Sequence, residues 1–417
     1  MWSDRRRQMR APVAITLAGL VLVACGEGPG GGESGTSLDD MDPVTLSYNT
    51  VGPSTGSTGE VVGALVDYVK DESDGKITIE PYYSSSLLSG EEALKGVGAG
   101  IADMTYLGVP YYPEDLPVAT WYNDVAGLIP ATDIPDGLLA SSAAAASFYL
   151  GNEDVKQEMA DHNIKVLAAH DGANGYYLQC NDPLSDVGAL DGLRTRVGSK
   201  IWAAQAEELG MTPQFTQFAE IYESLQRDVV DCAIQGPPSV GVDSGWFEVA
   251  KHYSPTSFAS MPGNIHVINL DVWEGLPDEA KQIVADGMLE LQTTFLRNAV
   301  QGYADFAADA QDSGVILHDA KAINAELEKA RGSLRDKLFE EAPDALSDPE
   351  RVADQADKAV DEWKRRLSND LGVTSRPKSL EAFRELDGFE IDSYAEALKA
   401  DIYDQLLGIE GAAPEEE

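Results

Sequence analysis

The chain has 417 residues, 71 acidic side chains against 30 basic ones, and a formal charge of -41 with the hydrophobic content of a globular protein. That length suits two lobes of ordinary domain size. So large a negative charge repels DNA, RNA and acidic headgroups, which excludes nucleic-acid partners and reads as a solvated acidic surface that favours solubility.

At the N-terminus, Arg5, Arg6, Arg7 and Arg10 precede the apolar run APVAITLAGLVLVA, which is too short for a permanent membrane-spanning helix. It ends in Leu22-Val23-Ala24-Cys25-Gly26, with the small residues before cysteine that a lipoprotein signal peptidase needs. Residues 1–24 therefore read as a lipoprotein signal peptide and Cys25 as the lipid acceptor, the plainer alternative being a secretory signal that happens to contain a cysteine. Gly-rich, polar residues follow, so 25–42 read as a flexible tether holding the protein outside the cytoplasmic membrane by lipid.

Order is expected from Pro43. TLSYNTVG reads as a strand, and EVVGALVDYVKDE as a helix with Val61, Leu65 and Val69 on one face. KITIEPYY alternates as a strand does, EEALKGVGAG is a short helix, and IADMTYLG a strand. A second block repeats the pattern: NIKVLAAH, GYYLQC, LDGLRTRV, a helix in WAAQAEELG, PQF, a helix in EIYESLQRD, then VVDCAI. Strands alternating with helices predict an α/β fold with largely parallel pairing, and two such blocks predict two lobes. Ligands in such sheets sit beyond the carboxyl ends of strands, which makes the loops at Asn49-Thr50 and Gly108-Val109 candidate cleft walls. Residues 277–312 keep helical apolar spacing without an interior proline, and a helix that long, about 54 Å, should cross both lobes.

With Cys25 assigned to lipid, Cys180 and Cys232 remain as a pair in strand-like segments. A disulfide is the preferred reading in an extracytoplasmic compartment, two buried free thiols the alternative. His162, His170, His252, His266 and His318 are scattered without ligand spacing, so no metal or cofactor is expected.

Residues 194–200, RTRVGSK, gather three cations in a strongly acidic chain. Together, GEEALKGVGAGIADM and LDGLRTRVGSK…AEELGMTPQFTQFAEIYESLQRDVVDC resemble the extracytoplasmic solute-binding proteins of tripartite ATP-independent periplasmic (TRAP) transporters, of the type that binds C4-dicarboxylates and other organic acids. The resemblance is best over residues 43–275. It implies a two-lobed clamshell with hinge strands, capturing a small carboxylate between the lobes and delivering it to a permease of one small and one large membrane subunit driven by an ion gradient. It implies no catalysis.

Lobe I is expected over 43–171, continued by about 256–295, and lobe II over 172–255, continued by about 296–320. A helical region over 321–417 exceeds the family's usual ending. By the resemblance, Arg196 closes the GLxxR motif and grips the ligand carboxylate. Its guanidinium also suits that task physically, offering two parallel donors while keeping its charge when desolvated. Arg194 and Lys200 are expected in solvent. Phe218 matches an aromatic that packs on ligand, and Gln235 stands at a family asparagine. Asn174 or Tyr176 lies where a second arginine is usual, which weakens a dicarboxylate assignment. Tyr111, Tyr112, Trp121 and Trp246 are further candidates for the cleft, beside Asn49, although such aromatics more often serve a core. Two other readings remain open: a ligand-binding lipoprotein for a sensor kinase or an ATP-driven importer, and a secreted hydrolase, for which no histidine has a recognisable catalytic setting.

Overall fold

The computed structural model describes residues 37–130, 134–173, 175–184, 186–236, 241, 244–310 and 314–409. The chain first lays down β1 (Val44–Asn49), β2 (Ile77–Tyr82), β3 (Met104–Gly108) and β4 (Ile164–His170). It then crosses over to build β5 (Tyr176–Cys180), β6 (Arg194–Val197), β7 (Thr212–Phe215), β8 (Cys232–Gln235) and β9 (His252–Phe258). Finally it returns for β10 (Asn264–Asn269) and adds the short β11 (Ile316–Leu317). Two sheets result, ordered β2-β1-β3-β10-β4 and β11-β9-β5-β8-β6-β7.

The alternation read in the second predicted strand is physical: Ile77 and Ile79 are buried, and Ile79 pairs with the equally buried Leu46 on β1. The largely parallel pairing expected from the βα pattern needs correction. β1 runs parallel to β2 and β3, and β6 to β7 and β8, but β10 is antiparallel to both neighbours and so is β5. β4 leaves the first sheet for β5 in the second, and β9 leaves the second for β10 in the first, so each incoming strand enters beside the outgoing one from the end at which that strand left. Strands entering a sheet from the other lobe therefore arrive reversed.

The described residues of these two crossings, 171–173 and 175 in one and 259–263 in the other, lie against one another. The buried Asp171 carboxylate accepts from the Met261 and Ala173 amides at 3.1 and 3.2 Å and from Ser141 Oγ at 2.6 Å. The Gly172 amide donates to the Met261 carbonyl at 3.2 Å. Burial pushes the Asp171 carboxyl up to about 6, the hydrogen bonds opposing the rise.

A third connection is the long helix Asp278–Asp309, 32 residues and about 48 Å at 1.5 Å per residue. Near its start it touches the helix Gly56–Glu72 so closely that a Cβ at Gly287 would stand 2.6 Å from Val69 Cγ2. Near its end, Tyr303 accepts from the Tyr177 hydroxyl of β5 at 2.9 Å, and Phe306 packs on Phe247 and Tyr253. The helix does cross both lobes, as its length demanded.

Beyond it, the helix Lys321–Glu340 buries Ile323, Leu327 and Leu334 in the core of the second sheet. The helix Pro349–Asn369 lays Val352, Ala356, Val360 and Leu367 against Asp136–Gly151. Arg335 and Asp357 join these two helices by a paired contact at 2.5 and 3.2 Å. The disulfide Cys180–Cys232 is present, S–S 2.07 Å, and links β5 to β8.

Candidate functional site

β6 is a four-residue strand held between β7 and β8, with Arg196 opposite Gln214 on one side and Ala233 on the other. Its arginines meet different fates. Arg194 is exposed and bound to Asp231, Nη2 to Oδ1 2.5 Å and Nε to Oδ2 3.0 Å. Arg196 is 2% exposed. Nε donates to the Thr216 carbonyl at 3.0 Å, Nη1 to the Ile234 carbonyl at 3.1 Å, and Nη2 to the Tyr111 hydroxyl at 2.9 Å, reaching from the second lobe to the first. The guanidinium lies 5.8 Å from the Trp202 ring centre. A Cβ at Gly198 would stand 3.0 Å from Nη2, so that glycine leaves the cation its room. No carboxylate among the described residues pairs with Arg196. Its contacts use three of five N–H groups, all on neutral oxygens. A buried charge without a counter-ion is costly, and an anion supplied from outside removes that cost.

Arg196 opens on a cavity of about 480 Å³ between the sheets, in the range of small-molecule sites. On the second lobe the wall includes Tyr176, Trp202, Phe218, Gln235 and Trp246, with Phe218 and Trp246 edge to face at 5.2 Å. On the first it includes Tyr48, Tyr106, Tyr111, His170, Asn264 and His266. Among the described lining residues Arg196 is the one cation, and Glu91 and Glu220, both exposed, are the anions.

The first-lobe wall is a directed hydrogen-bond chain. His170 Nδ1 lies 3.0 Å from the Asp171 carbonyl, which can only accept, so the proton of neutral His170 sits on Nδ1. His170 Nε2 is then an acceptor and takes the Nε2–H of His266 at 3.3 Å. That leaves His266 Nδ1 to accept from the Tyr48 hydroxyl at 2.8 Å. Burial drives His170 down to about 4 and His266 well below the usual imidazole range, so both are neutral at pH 7. Beside them the Tyr106 hydroxyl donates to Asn264 Oδ1 at 2.5 Å, while Asn264 Nδ2 donates to the Met261 carbonyl at 2.6 Å.

Of the residues singled out in the sequence, Arg196, Phe218, Gln235, Tyr111 and Trp246 meet around this cavity, with Tyr112 and Tyr176. Thr50 and Gly108 from the two expected wall loops line it too. Asn49 does not. Its amide is spent inside the first lobe, exchanging bonds with the Leu88 backbone at 3.2 and 3.1 Å and reaching Thr105 Oγ1 at 3.3 Å. Trp121 is also elsewhere, donating to the Leu338 carbonyl at 2.6 Å and packing on Phe339. Asn174 and Cys25 lie outside the described residues. Lys200 is exposed. Sequence reasoning missed Tyr48, Tyr106, Asn264 and the two histidines. The alternation NIHVIN was the available signal, because it puts Asn264 and His266 on one face of a strand. Gly52-Pro53-Ser54-Thr55-Gly56 has G-x-S-x-G spacing, but Ser54 is exposed and every described histidine is bonded to some other group.

The family described as bacterial extracellular solute-binding protein, family 7, matches residues 48–342. Among curated relatives, the C4-dicarboxylate-binding periplasmic protein DctP of Rhodobacter capsulatus is 25% identical over 259 residues, 60% of this chain and 72% of its own length. A monocarboxylate 2-oxoacid-binding periplasmic protein of Nostoc is 24% identical over 307 residues, 72% of this chain and 80% of its own. Among solved structures, a Bordetella pertussis extracytoplasmic solute receptor binding pyroglutamic acid superposes with a TM-score of 0.62 at 18% identity, covering 76% of this chain and 99% of that one. A TRAP solute-binding protein of Chromohalobacter salexigens with bound D-glucuronate gives 0.62 at 18%, covering 75% and 99%. At such identities the likeness speaks for the fold, a two-lobed binding protein.

Proposed function

The chain belongs to the bacterial extracellular solute-binding proteins of family 7, and we propose that it captures a small organic acid between its lobes, the carboxylate held by Arg196, and hands it to an ion-gradient-driven TRAP permease. The observation that carries this is the buried guanidinium facing a cavity with no carboxylate partner among the described residues. Phe218 and Trp246 pack on the body of the solute, and Tyr111, already bonded to Arg196 from the opposite lobe, lets one bound carboxylate touch both walls.

Opening and closing bend the crossings at 171–175 and 259–263, between a first lobe of residues 43–171 with about 256–295 and a second of 172–255 with about 296–320. Ligand contacting both walls favours the closed form by no more than its preference for that form. At the N-terminus, residues 1–24 act as a signal peptide and Cys25 carries the lipid that keeps the protein at the outer face of the cell membrane. No described helix is long and apolar enough to cross a membrane. Family membership assigns solute binding rather than catalysis.

The test is a thermal-shift and calorimetric screen of mono- and dicarboxylic acids, because a ligand that binds only the folded chain raises its melting point. At least one acid should bind, and Arg196→Ala should remove that binding. If no acid binds, or Arg196→Ala binds as the parent does, the carboxylate reading is wrong.

A further inference from the structure

In the buried part of the first-lobe wall, the protons of Tyr48, His266, His170 and Tyr106 are already committed inward. Tyr48 donates to His266, His266 to His170, His170 to the Asp171 carbonyl, and Tyr106 to Asn264. What these phenols can still do toward the cavity is accept, since a hydroxyl oxygen keeps its lone pairs after donating. The second lobe repeats this at one position. Gln179 Nε2 donates to the Ala250 carbonyl at 2.6 Å, so Gln179 offers its Oε1 to Gln235 Nε2 at 2.5 Å, and the amide orientation of Gln235 follows. Gln235 Oε1 is left buried without a partner, on a side chain 2% exposed that lines the cavity. Arg196 pairs with Ala233 across the β6–β8 ladder, and Gln235, two residues on, shares that face. The orphaned acceptor is therefore a near neighbour of the guanidinium.

We propose that the solute carries one carboxylate, held by Arg196, on an uncharged body with at least one O–H or N–H, and that Gln235 and the Tyr48–His266–His170 wall together reject a second carboxylate. This rests on the carboxylate reading above and deepens it. A donor on the solute satisfies Gln235 Oε1 and meets the phenol oxygens as acceptors. A second carboxylate finds no second cation among the described lining residues, accepting oxygens at Gln235, Tyr48 and Tyr106, and Glu91 and Glu220 as the other charges of the cavity. A buried acceptor discriminates strongly against ligands that leave it unpaired.

Titration calorimetry of the full chain with matched acids separates the terms. D-gluconate, hexanoate and D-glucarate share a six-carbon chain and differ in hydroxyls and in the second carboxylate; pyroglutamate and cyclopentanecarboxylate share a five-membered ring and differ in the lactam N–H and its carbonyl. In at least one skeleton the donor-bearing monoacid should bind about tenfold or more tighter than its donor-free partner and than the diacid. Gln235→Met, which keeps the length and removes the acceptor, should bring donor-bearing and donor-free acids within about threefold while binding still needs Arg196. Arg196-dependent binding of glucarate or hexanoate as tight as that of gluconate, with no preference in the ring pair, overturns this proposal and leaves the carboxylate reading standing. An unchanged preference in Gln235→Met removes Gln235 from it. Absence of binding by every acid, including those of the wider screen, overturns both.

Discussion

The two walls of the cleft solve the burial of polar groups in opposite ways. The second-lobe wall buries a full charge and leaves it facing the cavity, with neutral oxygens at 2.9–3.1 Å and no anion. The first-lobe wall buries two imidazoles and strips them of charge, each nitrogen satisfied inside the protein. One wall keeps an unmet electrostatic demand that a solute can fill; the other satisfies its imidazoles internally and, as proposed above, selects by what it withholds. On the proposed reading, affinity resides mainly on the Arg196 side and stability mainly on the histidine side, and substitutions should separate the two.

The largest effect is expected at Arg196. Truncating one partner of a buried, hydrogen-bonded charge pair costs about 2–5 kcal/mol of binding, so Arg196→Ala should weaken the acid found in the screen by about 30-fold or more in calorimetry. Arg196→Lys keeps the charge, loses the planar fork and should fall between parent and alanine. Next comes the strut behind that wall. The Cys180–Cys232 disulfide closes a separation of 52 residues, and the chain-entropy relation puts its stabilisation at about 4 kcal/mol. A Cys180→Ser, Cys232→Ser double variant should show that loss in urea unfolding. Because Gln179 and Gln235 sit on the two strands it joins, the variant should also bind more weakly. Unchanged affinity would mean that hydrogen bonding alone holds this wall.

Acid should act on the other wall. Buried His170 titrates at about 4 against about 6.5 unfolded, so between those values the unfolded chain takes up the proton that the folded one refuses. The stability tied to neutral His170 is full above pH 6.5 and is lost as pH falls toward 4, about 3 kcal/mol in all. Asp171 works against it, since its folded value is raised to about 6 and protonation favours the folded state as pH falls below that. Removing the histidine as His170→Gln should therefore make the loss of urea stability between pH 7 and pH 4.5 shallower than in the parent; an equal or steeper loss would show that this imidazole is not held neutral. Tyr48→Phe should cost less, about 1–3 kcal/mol, because it leaves buried His266 Nδ1 without a donor. Because it also removes one accepting oxygen from the wall, it should weaken donor-bearing acids, but by less than Arg196→Ala does; a loss as large as that of Arg196→Ala would place the main grip on the first lobe rather than at the guanidinium.

The difference between the walls also explains what the sequence disclosed. Arg196 could be picked out because a charge conspicuous in an acidic chain stands in a short ordered motif. The histidine chain could not, because its members come from β1, β4 and β10, brought side by side by a returning strand that reverses the expected parallel pairing. Asn49 misled for a related reason: it ends a strand at the expected edge, but its amide is consumed by Leu88 one loop away. The long helix was legible from an unbroken apolar period. The helix Asp136–Gly151 was not, because with β4 on one side and Pro349–Asn369 on the other it is buried nearly all round and shows no polar face.

The smallest effect is the most pointed. Arg194 and Arg196 are two residues apart on one strand, and a potential summed over both would attract an anion whichever one touched it. The exposed ion pair to Asp231 occupies Arg194 Nε and Nη2, and contacts of that kind are screened by solvent and salt. If the carboxylate is held by directed donors inside the cavity, Arg194→Ala should leave the dissociation constant within about threefold of the parent and the salt dependence of binding nearly flat, since the gripping charge lies out of reach of the ionic atmosphere. A loss as large as that of Arg196→Ala, accompanied by steep weakening as salt rises from 50 to 500 mM, would mean that the acid is drawn by the summed charge of β6 rather than bound by one buried fork.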